Sequence, residues 1–173
     1  YSIVQKHAVI LQNLSDMGNS GTGIFDYNKR QMVFYSSNFG GLLGYALADY
    51  QEIGQQFFAG KLHPDDAHML SINSVSTLKI FNHFSSDEKL NHKMIVEYRM
   101  LNAQNQYVRL VEQHQVLKLD PKGQLWLAFN IVDISPNQGE AEPGKSQLLN
   151  FRTGEIFPLD TPKKVKIELT KRE

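Results

Sequence analysis

Three long runs of strand-forming residues lie in the second half of the chain and constrain its fold more than any other feature. They are Met94 to Leu101, Tyr107 to Leu119 and Leu125 to Ile134. The segments between them, Asn102 to Gln106 and Asp120 to Gly123, are rich in turn-forming residues. Short connections of this composition join consecutive antiparallel strands. The three runs therefore predict an antiparallel meander.

Two shorter strand candidates and several helices come before the meander. Ile24 to Tyr27 and Met32 to Tyr35 flank a turn at residues 28–30, and short helical segments follow them. Asp65 or Asp66 suits the N-cap of a longer helix. That helix carries apolar residues on one broad face, namely Met69, Ile72, Val75, Leu78 and Phe81. This order predicts an α+β fold, with one antiparallel sheet of five strands and its helices on one face.

The first 17 residues predict a helix with an apolar stripe. Ile3, His7, Ile10, Leu14 and Met17 follow one another at alternating steps of four and three residues, which is heptad spacing. A helix packed on its own domain and a helix that pairs with a second copy both produce this stripe. Both interpretations stay open, and the second makes these residues a dimer helix.

Composition excludes several kinds of function. Lys and Arg number 18 and Asp and Glu number 18, so no broad electrostatic field attracts nucleic acid or membrane phosphates. The absence of cysteine removes disulfides, cysteine zinc sites and thiol chemistry. No apolar run approaches the ~20 residues of a membrane span, and no signal segment is evident. We expect a cytoplasmic protein that does not contact membranes, and residues upstream of Tyr1.

Five segments resemble, in order and spacing, the PAS domain, particularly its bacterial subgroup with a His-Pro-Asp-Asp turn. They are Gly23 to Tyr27, Phe34 to Tyr45, Leu62 to Asp66, Glu97 to Arg99 and Asp133 to Ser135. The resemblance covers about Gly21 to Ser135. It implies a five-stranded sheet that curls over helices around a small core, and a sensory role without catalysis. It also implies that six residues form a structural or signalling motif: His63, Pro64, Asp65, Asp66, Asp133 and Ser135.

The chain changes character after Ser135. Residues 136–145 hold two prolines and two glycines, which predicts a linker and makes a continuous helix into a kinase or cyclase output unfavourable. Leu148 to Phe151 and Glu155 to Leu159 could form a hairpin across Thr153 and Gly154. Thr161 to Lys164 is a further break. Thr170 and Glu173 fit the capping box of a helix that continues beyond residue 173.

Leu169 to Glu173 resembles the opening of a LuxR-type helix-turn-helix domain. This second resemblance implies a homodimeric transcriptional regulator that contacts DNA only through a domain after residue 173. The predicted organisation is an N-terminal helix at 1–19, a PAS-like sensor domain at 20–135, a linker with a hairpin at 136–168, and the start of the helix-turn-helix domain at 169–173.

The alternatives are a PAS module of a histidine kinase or other signalling enzyme, a ligand-free dimerisation domain, or a small α+β enzyme that uses the same cavity. Such an enzyme would gather side chains with shifted pKa values there.

The predicted interior is rich in aromatic and soft side chains. They either fill the core solidly or line a pocket for an unknown small molecule. Asn130, Gln113 and Gln115 lie mid-strand and are expected to point outward; an inward one would need a partner, which a ligand could supply. The residues of this candidate pocket are Phe25, Phe34, Phe39, Phe57, Phe58, Phe81, Tyr98, Met100, Trp126 and Phe129.

The histidines do not predict a metal site. No pair has the spacing of a helical zinc motif, and no cysteine assists them. The PAS resemblance makes His68 and His83 the candidates for a heme ligand, and the lack of cysteine excludes a flavin–cysteine adduct. We therefore predict no metal, no cofactor and no catalytic residue.

Overall fold

A seven-stranded antiparallel sheet organises the computed structural model, which describes residues 2–139 and 143–159. The strands are β1 (Gly21–Asp26), β2 (Gln31–Tyr35), β3 (His92–Leu101), β4 (Tyr107–Leu119), β5 (Leu125–Ile134), β6 (Ser146–Asn150) and β7 (Ile156–Pro158). The helices are α1 (Ile3–Gly18), α2 (Asn38–Gly41), α3 (Leu47–Tyr50), α4 (Gln55–Ala59), α5 (Pro64–His83) and α6 (Ser86–Asn91). Across the sheet the order is β2-β1-β5-β4-β3-β6-β7. The predictions for residues 161–173 lie outside the described residues.

The predicted α+β fold class and the N-terminal helix are confirmed, but the sheet has two more strands than predicted. β3, β4 and β5 form the expected meander, and the predicted hairpin is present as β6 and β7. β6 also pairs with β3, from His92 opposite Asn150 to Val96 opposite Ser146. The sequence signals the hairpin through its turn residues, whereas the open edge of β3 that receives β6 is a property of the folded sheet.

Helix α1 packs on the opposite face of the sheet from α2 to α5. It begins with a capping box between Ser2 and Gln5 and ends at Asn19, whose φ of 53° is left-handed. Leu11 packs against Ile24 and Leu127. The predicted heptad stripe is divided: Ile3 adjoins this cluster, and the other apolar members face solvent. The exposed members are Ile10, Leu14 and Met17.

A buried hydroxyl network fixes α1 to the sheet. Ser15 donates to the carbonyl of Ser20 at 2.6 Å, and its Oγ lies in hydrogen-bonding contact with Ser36 Oγ at 2.9 Å. Ser36 Oγ accepts from the backbone N–H of Thr22, whose own hydroxyl donates to the carbonyl of Leu11. These hydroxyls have partners, so their burial carries no unpaired polar cost. Helix and sheet are therefore joined by directional bonds as well as apolar contact.

The N-cap of helix α5 lies two or three residues earlier than predicted. His63 is the N-cap, its ring Nδ1 accepts from the backbone N–H of Asp65, and Pro64 takes the first helical position. The assignment of the cap to Asp65 or Asp66 was therefore wrong. The predicted broad face is also too wide, because Met69 and Phe81 are buried whereas Val75 and Leu78 are exposed. Nothing in the described residues combines the length and apolar character of a membrane-crossing helix.

Candidate functional site: a cavity beneath α5

A partly open cavity of about 630 Å³ lies between α5 and the sheet. That volume falls in the range of small-molecule sites, about 300–1,000 Å³. Strand alternation directs residues from β1, β4 and β5 into it, and one side of α5 covers them. Most of its wall is apolar, including Met32, Leu70, Leu78, Phe81, Met94 and Ala128.

The ten residues of the predicted pocket do not form one site. Phe25, Phe81 and Phe129 line the cavity. Five others belong to a separate packed cluster, namely Phe39, Phe57, Phe58, Tyr98 and Met100. Phe34 and Trp126 pack in the cluster beneath α1. Aromatic composition therefore indicated interior residues but could not separate a solid core from a cavity wall.

One end of the cavity is polar. Glu112 accepts a hydrogen bond from the Tyr98 hydroxyl at Oε2, 2.7 Å away, and another from Asn130 Nδ2 at Oε1. His114 Nε2 lies 3.4 Å from the same Oε1. Glu112 and His114 are two residues apart on β4, and Asn130 lies opposite His114 on β5, so all three share one face of the sheet.

Charge at this end is balanced within the protein. Burial disfavours the ionised carboxyl of Glu112, but His114, Tyr98 and Asn130 outweigh it and lower the pKa of Glu112. Burial likewise opposes a charged imidazole, yet Glu112 raises the pKa of His114. Burial, and then the Glu112 charge, raises the pKa of Tyr98. Each member of the pair therefore favours the charged form of the other.

The expectation that Asn130 points outward was wrong. Its side chain is 5% exposed and lines the cavity. Among the described residues, its Oδ1 has no hydrogen-bond partner. A Cβ at position 23 would collide with this oxygen and with the Met32 methyl, so Gly23 leaves the space in which both lie. The only sequence signal was an amide in the middle of an apolar strand.

A second set of contacts surrounds Asp66 at the start of α5. Its carboxylate accepts from Arg99 three times: from the backbone N–H at 2.6 Å and from Nε and Nη2 at 2.9 Å each. It also accepts from the N–H of Gly144 at 3.2 Å. Burial alone would raise the pKa of Asp66, but Arg99 and Gly144 lower it. The helix that covers the cavity is therefore bonded to the segment that leads into β6.

The rest of the predicted motif holds the chain at the end of β5. Asp133 accepts from Ser20 Oγ at 2.5 Å, which joins it to the exit of α1. Ser135 donates to Glu97 at 3.4 Å, and Asn137 Nδ2 donates to the same oxygen at 3.2 Å. His63 and Pro64 begin α5, while the side chain of Asp65 is 59% exposed.

The histidines named as heme candidates do not reach the cavity. His68 and His83 are absent from its lining, whereas His114 is present. His83 Nδ1 instead lies 2.7 Å from the carbonyl of Lys79. Within residues 2–139 and 143–159, no group of three or more metal-ligating side chains comes together.

Comparison with known proteins supports the fold and no more specific identity. No protein-family model matches the sequence, and no curated protein matches it. The PAS domain of a protein from Colwellia psychrerythraea is similar, with TM-score 0.52, 16% identity, and coverage of 78% of this chain and 98% of that one. A sensory box histidine kinase/response regulator from Burkholderia thailandensis has TM-score 0.51, 18% identity, and coverage of 70% and 82%. An RNA-binding light-oxygen-voltage receptor has TM-score 0.51, 14% identity, and coverage of 71% and 31%.

Proposed function

We propose that this PAS-like chain is a non-catalytic sensory and interaction module, which controls the DNA-binding output of a cytoplasmic bacterial transcriptional regulator. The observation that carries the sensory role is the cavity beneath α5. Its lining helix also carries Asp66, which is bonded to β3 and to the segment before β6. The signal is a small molecule that binds in the cavity.

Ligand binding in the cavity is transmitted to the β6–β7 hairpin through the contacts of Asp66. A ligand that binds one arrangement of α5 more tightly than another shifts the population between them. Asp66 lies in the first turn of α5, so a movement of that turn changes its bonds to Arg99 and Gly144. The β6–β7 hairpin then changes its docking on β3.

The polar end of the cavity also fits the enzyme alternative, which predicted clustered side chains with shifted pKa values. The hydrogen bonds of Glu112, however, favour a sensor over an enzyme. Both oxygens of Glu112 are engaged, by Tyr98 on one side and by Asn130 and His114 on the other. A carboxylate so engaged is a poor proton acceptor for a substrate. No turnover is therefore expected from this chain alone.

The output assignment rests on the resemblance of Leu169 to Glu173 to a LuxR-type opening. The route from the sheet also fits it, because residues 136–139 and 143–159 contain no helix to continue β5 into a coiled coil. A histidine kinase output, which the name of the Burkholderia protein indicates for that protein, is the alternative. The exposed Ile10, Leu14 and Met17 of α1 supply the face for a homodimer.

Native mass spectrometry of the purified chain tests the sensory role. We expect a dimer that carries a bound small molecule, released on unfolding. A monomer without any bound molecule contradicts both parts. A dimer without ligand supports the ligand-free dimerisation domain instead.

The sequence of the longer protein after Glu173 tests the proposed DNA-binding output. We expect a basic helix-turn-helix domain, and sequence-specific DNA binding by the longer protein that changes when Asp66→Asn is introduced. An ATPase domain after a coiled coil contradicts the proposal and supports the kinase alternative.

A further inference from the structure

The polar end of the cavity has unused hydrogen-bonding capacity that limits what it can hold. Asn130 is about 95% buried, one of its amide hydrogens is bonded to Glu112, and its Oδ1 has no partner among the described residues. A buried amide oxygen without a partner costs stability, and a ligand that donates to it removes that cost. A ligand in this cavity is therefore favoured if it donates a hydrogen bond to Asn130 Oδ1.

His114 offers the complementary group. Its Nε2 faces Glu112, and no hydrogen bond engages its Nδ1 among the described residues. The side chain is 35% exposed and lines the cavity. Glu112 favours the imidazolium form of His114, and in that form Nδ1 also carries a proton and donates. The two strand neighbours thus present one acceptor and one donor side by side.

The charges of Glu112 and His114 also restrict the charge of the ligand head group. The carboxylate of Glu112 and the imidazolium of His114 offset each other at this end. A carboxylate head on the ligand would place a third acceptor against Asn130 Oδ1 and Glu112, and an ammonium head would oppose His114. Arg30 also lines the cavity, but it is exposed and so belongs to the rim. The opposite wall, which includes Leu70, is apolar.

We propose that the cavity takes an uncharged molecule with an apolar body and one hydroxyl or amide head, which donates to Asn130 Oδ1 and accepts from His114 Nδ1. The inference rests on the proposed ligand-sensing function and names the chemical class of its ligand. The Met32 thioether, whose methyl lies with Asn130 Oδ1 over Gly23, moves aside to admit the head. Methionine suits this task because its side chain is flexible.

Three probes that share a naphthalene body test the head group by calorimetric titration. They are 2-naphthol, which donates and accepts, 2-methoxynaphthalene, which only accepts, and 2-naphthoate, which is anionic. We expect 2-naphthol to bind at least about tenfold more tightly than either of the others, as for a buried acceptor that is satisfied by one probe alone. In Asn130→Leu that preference over 2-methoxynaphthalene falls to near equality.

The control is Gln113→Leu, which alters an amide on the neighbouring strand β4. That amide accepts from Lys93 and does not line the cavity. It should retain the tenfold preference. Equal binding of 2-naphthol and 2-methoxynaphthalene to the unaltered protein, or tightest binding of 2-naphthoate, overturns the head-group assignment but leaves the cavity a ligand site. Failure of all three probes to bind overturns the assignment, and a native mass spectrum without small molecules then contradicts the proposed function separately.

Discussion

Two adjacent aspartates in this chain have different environments. Asp66 is fully buried and accepts four hydrogen bonds, three from Arg99 and one from Gly144. The side chain of Asp65 is 59% exposed. The sequence places both residues at the start of a helix, where either could cap it. The partner that distinguishes them lies 33 residues away, so no local pattern could identify it.

Asp66→Asn should lower the free energy of unfolding by about 3 kcal/mol, because it removes the charged carboxylate of a buried ion pair that accepts from Arg99 at 2.9 Å. The control Asp65→Asn should change it by less than about 0.5 kcal/mol. Urea denaturation measures both. Equal effects of the two substitutions would show that the buried ion pair contributes nothing specific.

The stability supplied by Asp66 should also depend on pH. Its pKa is lowered in the folded state, so its contribution is complete above the unfolded value of about 4 and is lost as pH falls through the folded value. The difference between the unaltered protein and Asp66→Asn should therefore be constant from pH 5 to 7 and shrink below about pH 4. Denaturation at several pH values checks this, and a difference that grows in acid would reverse the assignment.

Glu112 should control the ionisation of His114. In Glu112→Gln the carboxylate is lost while burial remains, so the pKa of His114 should fall below its ordinary value of about 6.5. NMR titration of the ring protons measures this, and Gln113→Leu serves as a control that leaves the His114 titration in place. An unchanged titration in Glu112→Gln would mean that the two side chains do not interact.

At the scale of elements, α1 has apolar residues on two sides that differ in burial. Leu11 is 6% exposed and packs on the sheet, whereas Leu14 is 47% exposed. Heptad spacing detected the stripe. Packing of α1 on its own domain is observed through Leu11, and pairing of the exposed side with a second copy stays a prediction. Only the folded sheet shows which residues it covers.

Leu11→Ala should destabilise the fold by about 3 kcal/mol, as for other buried leucines. Leu14→Asp should leave the stability of the subunit nearly unchanged but weaken the proposed dimer at least about tenfold in sedimentation experiments. Asn13→Asp adds the same charge beside this face and should have little effect. A dimer that survives Leu14→Asp would show that α1 is not its interface.

Gly144 donates to Asp66 and lies just before β6, where the chain passes close to β3. A Cβ at this position would overlap the carbonyl oxygen of Glu97, whereas a Cβ at Gly139 would meet no atom within 4 Å. Gly144→Ala should therefore loosen β6 and speed hydrogen exchange at Leu148, and Gly139→Ala should not. Unchanged protection in Gly144→Ala would mean that β6 docks without this close approach.

At the scale of the whole molecule, the sequence predicted the α+β fold class but not that the sheet extends beyond Ser135 to include β6 and β7. Alternation and turn residues are local, so they identified the meander and the hairpin. The pairing of β6 with β3 depends on an edge that exists only after the sheet forms. The cavity depends on gaps between helix and sheet, and composition does not report gaps. For the same reason Asn130 was assigned to solvent although it faces inward.

The hairpin should be required for a stable fold. Leu148 is 1% exposed and packs with Phe81 and Val116, and β6 covers β3 from His92 to Val96. A chain of residues 1–135 should therefore have a Tm lower by about 5 °C or more than a chain of residues 1–159, and should aggregate through the uncovered edge. Calorimetry and size-exclusion chromatography compare the two, and equal behaviour would assign the hairpin a purely external role.

The docking of β6 also determines where the module could be spliced to other proteins. A fusion junction placed after Ser135, where the resemblance ends, would cut the chain between the sheet and a strand that belongs to it. A junction after Pro158 keeps Asp66, Gly144 and β6 in one transplanted unit. Chimeric receptors built with the later junction should inherit the response of the donor, because the contacts between the cavity helix and the hairpin travel with it.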